Sequence, residues 1–420
     1  MPDEGPAAAG DVPRSERLIV FLVGAIQFVN ILDFMMVMPL GPDFARALGI
    51  STAHLGVIAG SYTLTAAVSG IIAASFLDRF DRRSALGVAL FGLVTGTALG
   101  ALAQGLTSLV LARGIAGAFG GPATAISLSI IADVVPPARR GRAMGAVMGA
   151  FSVASVLGVF AALQLATWGG WRLPFIVVAL MGVMVVVAAL RAMPPMRGHI
   201  VTSAAGKPTS ARMSELLADP TIRLALAING LVMLTAFLVI PNIAPHLLQN
   251  LHLPRDPWLG VGYMIGGAAS FLIMRVAGRA NDRYGAARVS VVGTALMVGT
   301  LYFAFIAPGA IGIAGVMTVF VTFMGAMSVR NVSMQSLATR VPRADQRAGY
   351  MSLQTTAQFL SSSAGAFVSS HMLHDAPNGR LEGIATVSTV SAVLALGLPP
   401  MLSILDRQVR AREKSYLKKQ

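Results

Sequence analysis

The sequence predicts an all-α polytopic membrane protein made of two related halves with six spans each. Apolar residues make up 55% of the 420 residues and charged residues 12%, against roughly 25% charged residues in an ordinary soluble domain. Twelve apolar segments are long enough to cross a bilayer, which takes about 20 helical residues. One local pattern also occurs twice, and the two copies are about 204 residues apart.

The predicted spans form two groups of six, separated by a polar interval. The first group covers 18–40, 55–77, 85–104, 108–134, 143–166 and 172–190, and the second covers 222–247, 258–278, 289–307, 311–338, 350–371 and 383–405. The interval is rich in Pro, Gly, Ser and basic residues, as linkers are. We therefore expect an N-terminal tail 1–17, an N half 18–190, a linker 191–221, a C half 222–405 and a basic tail 406–420.

The repeated pattern begins with Leu-Gly and ends with Asp-Arg. Gly56 lies 22 residues before Asp78, and Gly260 lies 22 residues before Asp282. Pro39 and Pro241 occupy matching places in the two halves. A repeat on this scale indicates a duplicated structural unit.

Basic residues are spread along the chain in a way that predicts its orientation. With the N-terminus in the cytoplasm, most of the 32 Lys and Arg residues fall on the cytoplasmic side, as membrane proteins prefer. The predicted outer loops hold Arg46, Arg172, Arg255 and Arg380. The net charge of +14 therefore suits an anionic lipid surface and does not indicate nucleic acid as a partner. We expect an inner (plasma) membrane protein with both termini in the cytoplasm.

Several chemistries are disfavoured by the sequence. Cysteine is absent, which excludes disulfides, zinc-thiolate sites and a catalytic thiol. His371 and His374 are three residues apart, but no third metal ligand lies near them in the sequence. Nucleotide-binding loops and a nucleophile elbow are also missing. We expect no metal, no cofactor and no enzymatic activity.

Glycines recur every four residues in two places, which predicts close helix packing in lipid. Gly92, Gly96 and Gly100 lie in the third predicted span. A second series, 141, 145 and 149, leads into the fifth span.

Three local motifs resemble the major facilitator superfamily, in its twelve-span branch of drug:proton antiporters. ASFLDRFDRR is similar to the family pattern GxxxDRxGRR, with Ala74 and Asp81 in place of its glycines. LARGIAGAFGGPA is similar to the intramembrane RxxxG pattern and matches it at Arg113 and Gly117. SVASVLGVFAA resembles the glycine-rich antiporter motif, although Val159, Ala161 and Ala162 differ from it. The resemblance covers essentially the whole chain and implies two pseudo-symmetric six-helix bundles that rock around a central cavity.

Asp33 is the one carboxylate that we place well inside a span. A carboxylate at that depth is costly unless it faces a bundle interior or a wet cavity, where it can bind a proton or pair with a cation. The functional interpretation is a proton-coupling group, in line with the first-span carboxylates of the antiporter branch. The structural alternative is an Asp that only bonds to a neighbouring helix.

Two arginines lie deep in predicted spans. The resemblance implies a role in proton coupling for Arg113, whereas the alternative is a side chain that reaches outward to water. Arg330 lies about eight residues, or roughly 12 Å, from the inner end of its span. An anionic partner or an anionic substrate would satisfy it, and a structural role is equally open. Asn331 continues this polar face.

The remaining candidates belong to a cavity and a gate. The resemblance implies a cytoplasmic gate in which charged side chains pair across the two halves in one state and separate in the other; the alternative is solvated loop charge. The predicted gate residues are Asp78, Arg79, Arg82, Arg83, Asp133, Asp282 and Arg283. The residues predicted to line a substrate cavity are Asn30, Phe34, Tyr62, Phe119, Phe151, Phe237, Arg330 and Asn331. Most aromatic residues at helical spacing only pack.

The sequence therefore predicts a proton-coupled secondary transporter that exports small amphipathic or lipophilic compounds. Its expected partners are a small-molecule substrate, protons and the lipid bilayer, and we expect a monomer. One alternative is a sugar or small-metabolite permease of the same fold. Another is a non-transporting membrane receptor or scaffold.

Overall fold

A computed structural model of the chain describes residues 14–76, 79–196, 209–308, 312–343 and 346–417. The predicted all-α class is confirmed, since nearly all of these residues are helical. The helices of the N half are α1 (Arg14–Met36), α2 (Gly41–Leu48), α3 (Leu55–Phe76), α4 (Arg82–Ala101), α5 (Leu106–Val134), α6 (Pro137–Val153), α7 (Val159–Gly169) and α8 (Arg172–Ala192). A 3₁₀ turn occupies Thr52–His54, and the π-helical turn Ala154–Gly158 joins α6 to α7.

The C half repeats this arrangement. The linker contains α9 (Thr209–Ala218), and the helices that follow are α10 (Pro220–Val239), α11 (Ile243–Pro245), α12 (Trp258–Tyr284), α13 (Ala286–Leu301), α14 (Ile313–Ala338), α15 (Arg347–Met372), α16 (Ile384–Ala395) and α17 (Leu398–Leu417). Ile240–Asn242 is a 3₁₀ turn, and His246–Asn250 and Tyr302–Ile306 are π-helical. The two-residue strands β1 (His374–Asp375) and β2 (Leu381–Glu382) form an antiparallel hairpin.

Eleven helical stretches in the described ranges are long and apolar enough to cross a membrane. They correspond to eleven of the twelve predicted spans. The remaining predicted span is α15, whose 26 residues extend about 39 Å. Many Ser, Thr and Gln residues lower its hydropathy, and it packs between α3 and α10. Twelve long helical units thus account for the predicted architecture.

Helix packing is repeated between the halves. In the N half, α5 packs against both α3 and α4, and in the C half, α14 packs against both α12 and α13. Glycines allow this close approach. A Cβ on Gly96 would overlap the backbone of Ala116 on α5, and a Cβ on Gly262 would overlap the ring of Phe320 on α14.

The even number of crossings puts the start of α1 and the end of α17 on the same side, which we call the terminal face. The opposite face carries α2, the turn Thr52–His54, the α11–α12 connection and the β1–β2 hairpin. The halves are joined closely at the opposite face. A Cβ on Gly56 of α3 would overlap the carbonyl oxygen of Ala366 on α15.

Candidate functional site

The centre of the site is an ion pair between α1 and α5. Arg113 donates from Nη1 to Asp33 Oδ1 and from Nη2 to Asp33 Oδ2, both at 2.9 Å. Asp33 is 0% exposed and Arg113 is 1% exposed. The pair is therefore a two-pronged guanidinium–carboxylate contact enclosed in the N half.

Neighbouring groups satisfy the remaining hydrogen-bonding capacity of the pair. The Thr97 hydroxyl on α4 lies 2.8 Å from Asp33 Oδ1 and 2.9 Å from the carbonyl oxygen of Leu93, and it donates to one or the other. Arg113 Nη2 also lies 3.3 Å from the backbone oxygen of Asp33. The Tyr62 ring lies 4.8 Å from the centre of the guanidinium, where a cation–π contact is favourable.

Two glycines of α5 let the helix that carries Arg113 approach α3. A Cβ on Gly117 would overlap the carbonyl oxygen of Tyr62, and a Cβ on Gly120 would overlap the Tyr62 hydroxyl. The RxxxG spacing thus has a physical reason. The arginine supplies the charge, and the glycine one turn later lets Tyr62 lie beside it.

Asn30 extends the polar cluster one turn along α1. It accepts a hydrogen bond from the Tyr62 hydroxyl at 2.9 Å and donates to Thr124 Oγ1 at 2.7 Å and to the Gly120 carbonyl at 3.0 Å. The structure therefore brings together Asn30, Asp33, Tyr62 and Arg113. All four are predicted site residues.

An aromatic stack joins this cluster to the C half. The Phe34 ring lies 5.1 Å from the Tyr62 ring and 6.1 Å from the Phe237 ring on α10. The other two predicted cavity aromatics are placed differently. Phe119 packs over Gly92 of α4, and Phe151 is 51% exposed on α6.

Arg330 and Asn331 lie on α14 in the C half. Arg330 is 0% exposed and donates from Nη2 to Thr235 Oγ1 of α10 at 2.8 Å. Within the described ranges, Arg330 Nε and Asn331 Oδ1 have no hydrogen-bond partner.

The predicted gate residues lie at the terminal face, and the pairs described there form within one half. Arg82 Nε lies 3.3 Å from Asp133 Oδ2, and Arg83 donates to the carbonyl oxygen of Leu190. Arg283 lies 5.3 Å from the Tyr284 ring, and Asp282 and Arg79 are exposed. Asp78 falls outside the described residues.

Polar contacts across the two halves are found at the opposite face. Arg255 donates to Asp43 at 2.6 Å, and the Thr52 amide and hydroxyl donate to Asp375 at 2.9 and 2.6 Å. No sequence pattern marks these residues as contacts between the halves. We call the Arg255–Asp43 and Thr52–Asp375 contacts the opposite-face latch.

A model of the Major Facilitator Superfamily matches residues 23–366. A chloramphenicol resistance protein of Streptomyces lividans is 29% identical over 281 residues, which cover 67% of this chain and 71% of that protein. A probable actinorhodin transporter of Streptomyces coelicolor is 28% identical over 204 residues, which cover 46% of this chain and 35% of that protein.

The fold is also similar to that of solved structures. A bacterial homologue of the human lysosomal transporter Spinster, in an inward-facing and occupied conformation, aligns with a TM-score of 0.73 at 16% identity. The alignment covers 94% of this chain and 98% of that chain.

Proposed function

The chain belongs to the Major Facilitator Superfamily, and from that premise we propose that it is a proton-coupled exporter of small amphipathic or lipophilic compounds. The observation that carries this proposal is the buried pair of Asp33 and Arg113. Ionisable side chains inside a membrane protein are costly and mark ion or substrate pathways. Their place beside Tyr62 and Phe34 puts the charge next to an aromatic surface.

Because of this pair, protonation of Asp33 changes the contact between α1 and α5. A proton on Asp33 removes the negative charge that holds Arg113 and leaves a buried guanidinium without its counter-charge. Breaking a buried pair in this way costs about 3–5 kcal/mol. Loading the proton therefore favours a rearrangement of α1 against α5 in which Arg113 finds new partners.

Substrate and proton act on the pair in opposite senses. A compound that packs on Phe34, Tyr62 and Phe237 makes its best contacts when α1 and α5 are held in place by the ionised pair. Proton binding weakens that arrangement, so each ligand lowers the affinity for the other. The two halves then rock only when either the proton or the substrate is bound.

The opposite-face latch and the predicted gate are the contacts that form and break as the halves rock. With the latch closed, the passage opens at the terminal face, which we assign to the cytoplasm from the basic residues there. In the other state, the contacts of the latch break. Charged residues of the C half such as Asp282 and Arg283 then pair with charged residues of the N half. This two-state exchange of contacts describes alternating access.

The substrate class is supported by the relatives. One is named for chloramphenicol resistance and another for actinorhodin transport, and both names refer to small organic compounds. The aromatic stack between the halves offers an apolar contact surface of the kind that such compounds need.

The proposal is tested by the uptake of radiolabelled chloramphenicol into proteoliposomes under an imposed pH gradient. Wild type should accumulate the compound on the acidic side, and a protonophore should abolish the accumulation. Asp33→Asn should show no response to the gradient. Asp406→Asn, which removes a carboxylate paired with Arg410 inside α17, leaves the site and the latch intact and serves as the matched control. Equal gradient-driven uptake by wild type and Asp33→Asn would refute the coupling role.

A further inference from the structure

Arg330 differs from Arg113 in the charge that it faces. Arg113 is held by the carboxylate of Asp33, whereas Arg330 donates to the Thr235 hydroxyl at 2.8 Å and approaches the sulfur of Met327 at 3.8 Å. Both acceptors are neutral, and sulfur is a weak one. Among the described residues, Arg330 Nε has no partner. The C half thus contains a completely buried positive charge without a described carboxylate beside it.

The two sites are related by the internal repeat. Asp33 lies six residues before Pro39, and Thr235 lies six residues before Pro241. The acceptor in each half therefore comes from the matching place on its first long helix. The N half supplies a negative charge there, and the C half supplies a hydroxyl.

The membrane-crossing helices of the C half supply no carboxylate that could replace the missing charge. The sequence contains no Asp or Glu in 220–250, 258–281, 286–338, 347–372 or 384–405. These ranges hold the membrane-crossing helices of the C half. A counter-charge for Arg330 therefore does not come from the spans around it.

Buried hydroxyl groups lie on helices that neighbour the Arg330–Thr235 contact. Ser391 of α16 donates to the backbone oxygen of Thr235 at 2.7 Å. Ser388, one turn earlier, and Thr294, next to the Gly293 that packs on the Arg330 stem, are buried and lack partners within the described ranges. Hydroxyl and guanidinium N–H groups are donors to an anion, and the attraction between a guanidinium and an anion is stronger in an enclosed site than in water.

We propose that Arg330 binds a monovalent anion inside the C half, where the anion takes the part that the Asp33 carboxylate takes in the N half. The anion is either a small inorganic ion such as chloride or the carboxylate of an amphipathic molecule. The anion is monovalent because the guanidinium carries a single positive charge. This proposal does not depend on proton-coupled export, because it concerns the stability of the C half.

The test is the thermal unfolding of purified protein in detergent at constant ionic strength. Sodium gluconate is the reference salt, and it is replaced by sodium chloride in one arm and by sodium benzoate in the other. Binding to the folded state raises Tm by mass action. We expect the Tm of wild type to be roughly 2 °C or more higher in chloride or in benzoate than in gluconate. The salt that raises Tm shows whether the anion is an inorganic ion or a carboxylate.

Two variants make the test specific to Arg330. Arg330→Gln removes the charge and should remove the anion response. Thr235→Asp supplies a carboxylate within the protein, so it should unfold at a temperature that is independent of the anion. Arg46→Gln, an exposed arginine in the N half, is the matched control and should respond like wild type.

Two results would overturn the proposal. One is a wild-type Tm that is equal in gluconate, chloride and benzoate. The other is an anion response that persists unchanged in Thr235→Asp or in Arg330→Gln. If Arg330→Gln does not fold, Thr235→Asp still decides the question, because it keeps the arginine and replaces only the counter-charge.

Discussion

Asp33 on α1 and Arg113 on α5 are 80 residues apart in the chain and form a two-pronged ion pair with both N–O distances at 2.9 Å. The interior of the N half encloses both side chains. The contact joins two helices one residue before Phe34, whose ring lies between Tyr62 of the N half and Phe237 of the C half.

We expect the pair to behave as a unit in a double-mutant cycle. Arg113→Gln leaves Asp33 buried without its counter-charge and should lower the free energy of unfolding by about 3–5 kcal/mol. The double variant with Asp33→Asn should lose clearly less than the sum of the single losses. Denaturant unfolding in mixed micelles measures these energies, and Arg46→Gln controls for the loss of an exposed arginine. Additive losses would contradict a direct pair.

Gly117→Ala should destabilise the protein by about 1–3 kcal/mol, because the added methyl group overlaps the carbonyl oxygen of Tyr62 and forces α3 and α5 apart. Gly24→Ala on α1 is the matched control. A Cβ there has no other group within 4 Å, so helix propensity favours the substitution slightly. Thermal unfolding of both variants measures the difference, and equal Tm values would disprove the close approach.

The opposite-face latch should control access to Ala53, which is 3% exposed beneath it. The natural chain has no cysteine, so an Ala53→Cys variant can be labelled with a membrane-impermeant maleimide without background. Adding Asp375→Asn weakens two bonds to Thr52 and should raise the labelling rate about 5-fold or more, which corresponds to roughly 1 kcal/mol of lost closure.

Glu382→Gln is the control for this measurement, since Glu382 pairs with His374 inside the hairpin and not across the halves. A labelling rate that is unchanged in Asp375→Asn would show that its contacts do not hold the halves together.

Asp219 should contribute to the acid sensitivity of the C half. The hydrogen bond from Arg412 lowers the pKa of Asp219 below its usual range, with a further contribution from the backbone amide of Thr221 and an opposing effect of partial burial. A lowered pKa means that the stabilisation is complete above the pKa of Asp in the unfolded chain, about 3.9. It is lost as the pH falls through the pKa of the folded state.

Asp219→Asn should therefore lower Tm at neutral pH and show a shallower fall of Tm below about pH 4 than wild type. Asp282→Asn, at an exposed position on the terminal face, is the comparison for the loss of an aspartate charge. Parallel Tm profiles of wild type and Asp219→Asn in acid would contradict this assignment.

The sequence was sufficient to predict the fold class because span length and hydropathy are local properties. It also singled out Asp33 and Arg113 separately, because each is a charge in an apolar span. Their pairing depends on how α1 and α5 pack, and so does the contribution of Thr97, a common residue type in such helices. No local pattern marks those contacts.

The glycine series illustrate the same limit. Gly92, Gly96 and Gly100 pack closely on Phe119, Ala116 and Phe175, as their spacing predicts. The series at 141, 145 and 149 has the same spacing, yet a Cβ at each position has no other group within 4 Å. Spacing defines a helix face, whereas only the tertiary structure determines whether another helix covers it.

The most direct test of the proposed coupling is proton release on substrate binding. Chloramphenicol is added to purified protein in weakly buffered detergent solution, and the pH change is recorded across a range of starting pH. Over part of that pH range, wild type should release up to about one proton per bound substrate, and Asp33→Asn should bind the compound without releasing any. Equal proton release by the two proteins would show that Asp33 is not the group at which proton and substrate compete.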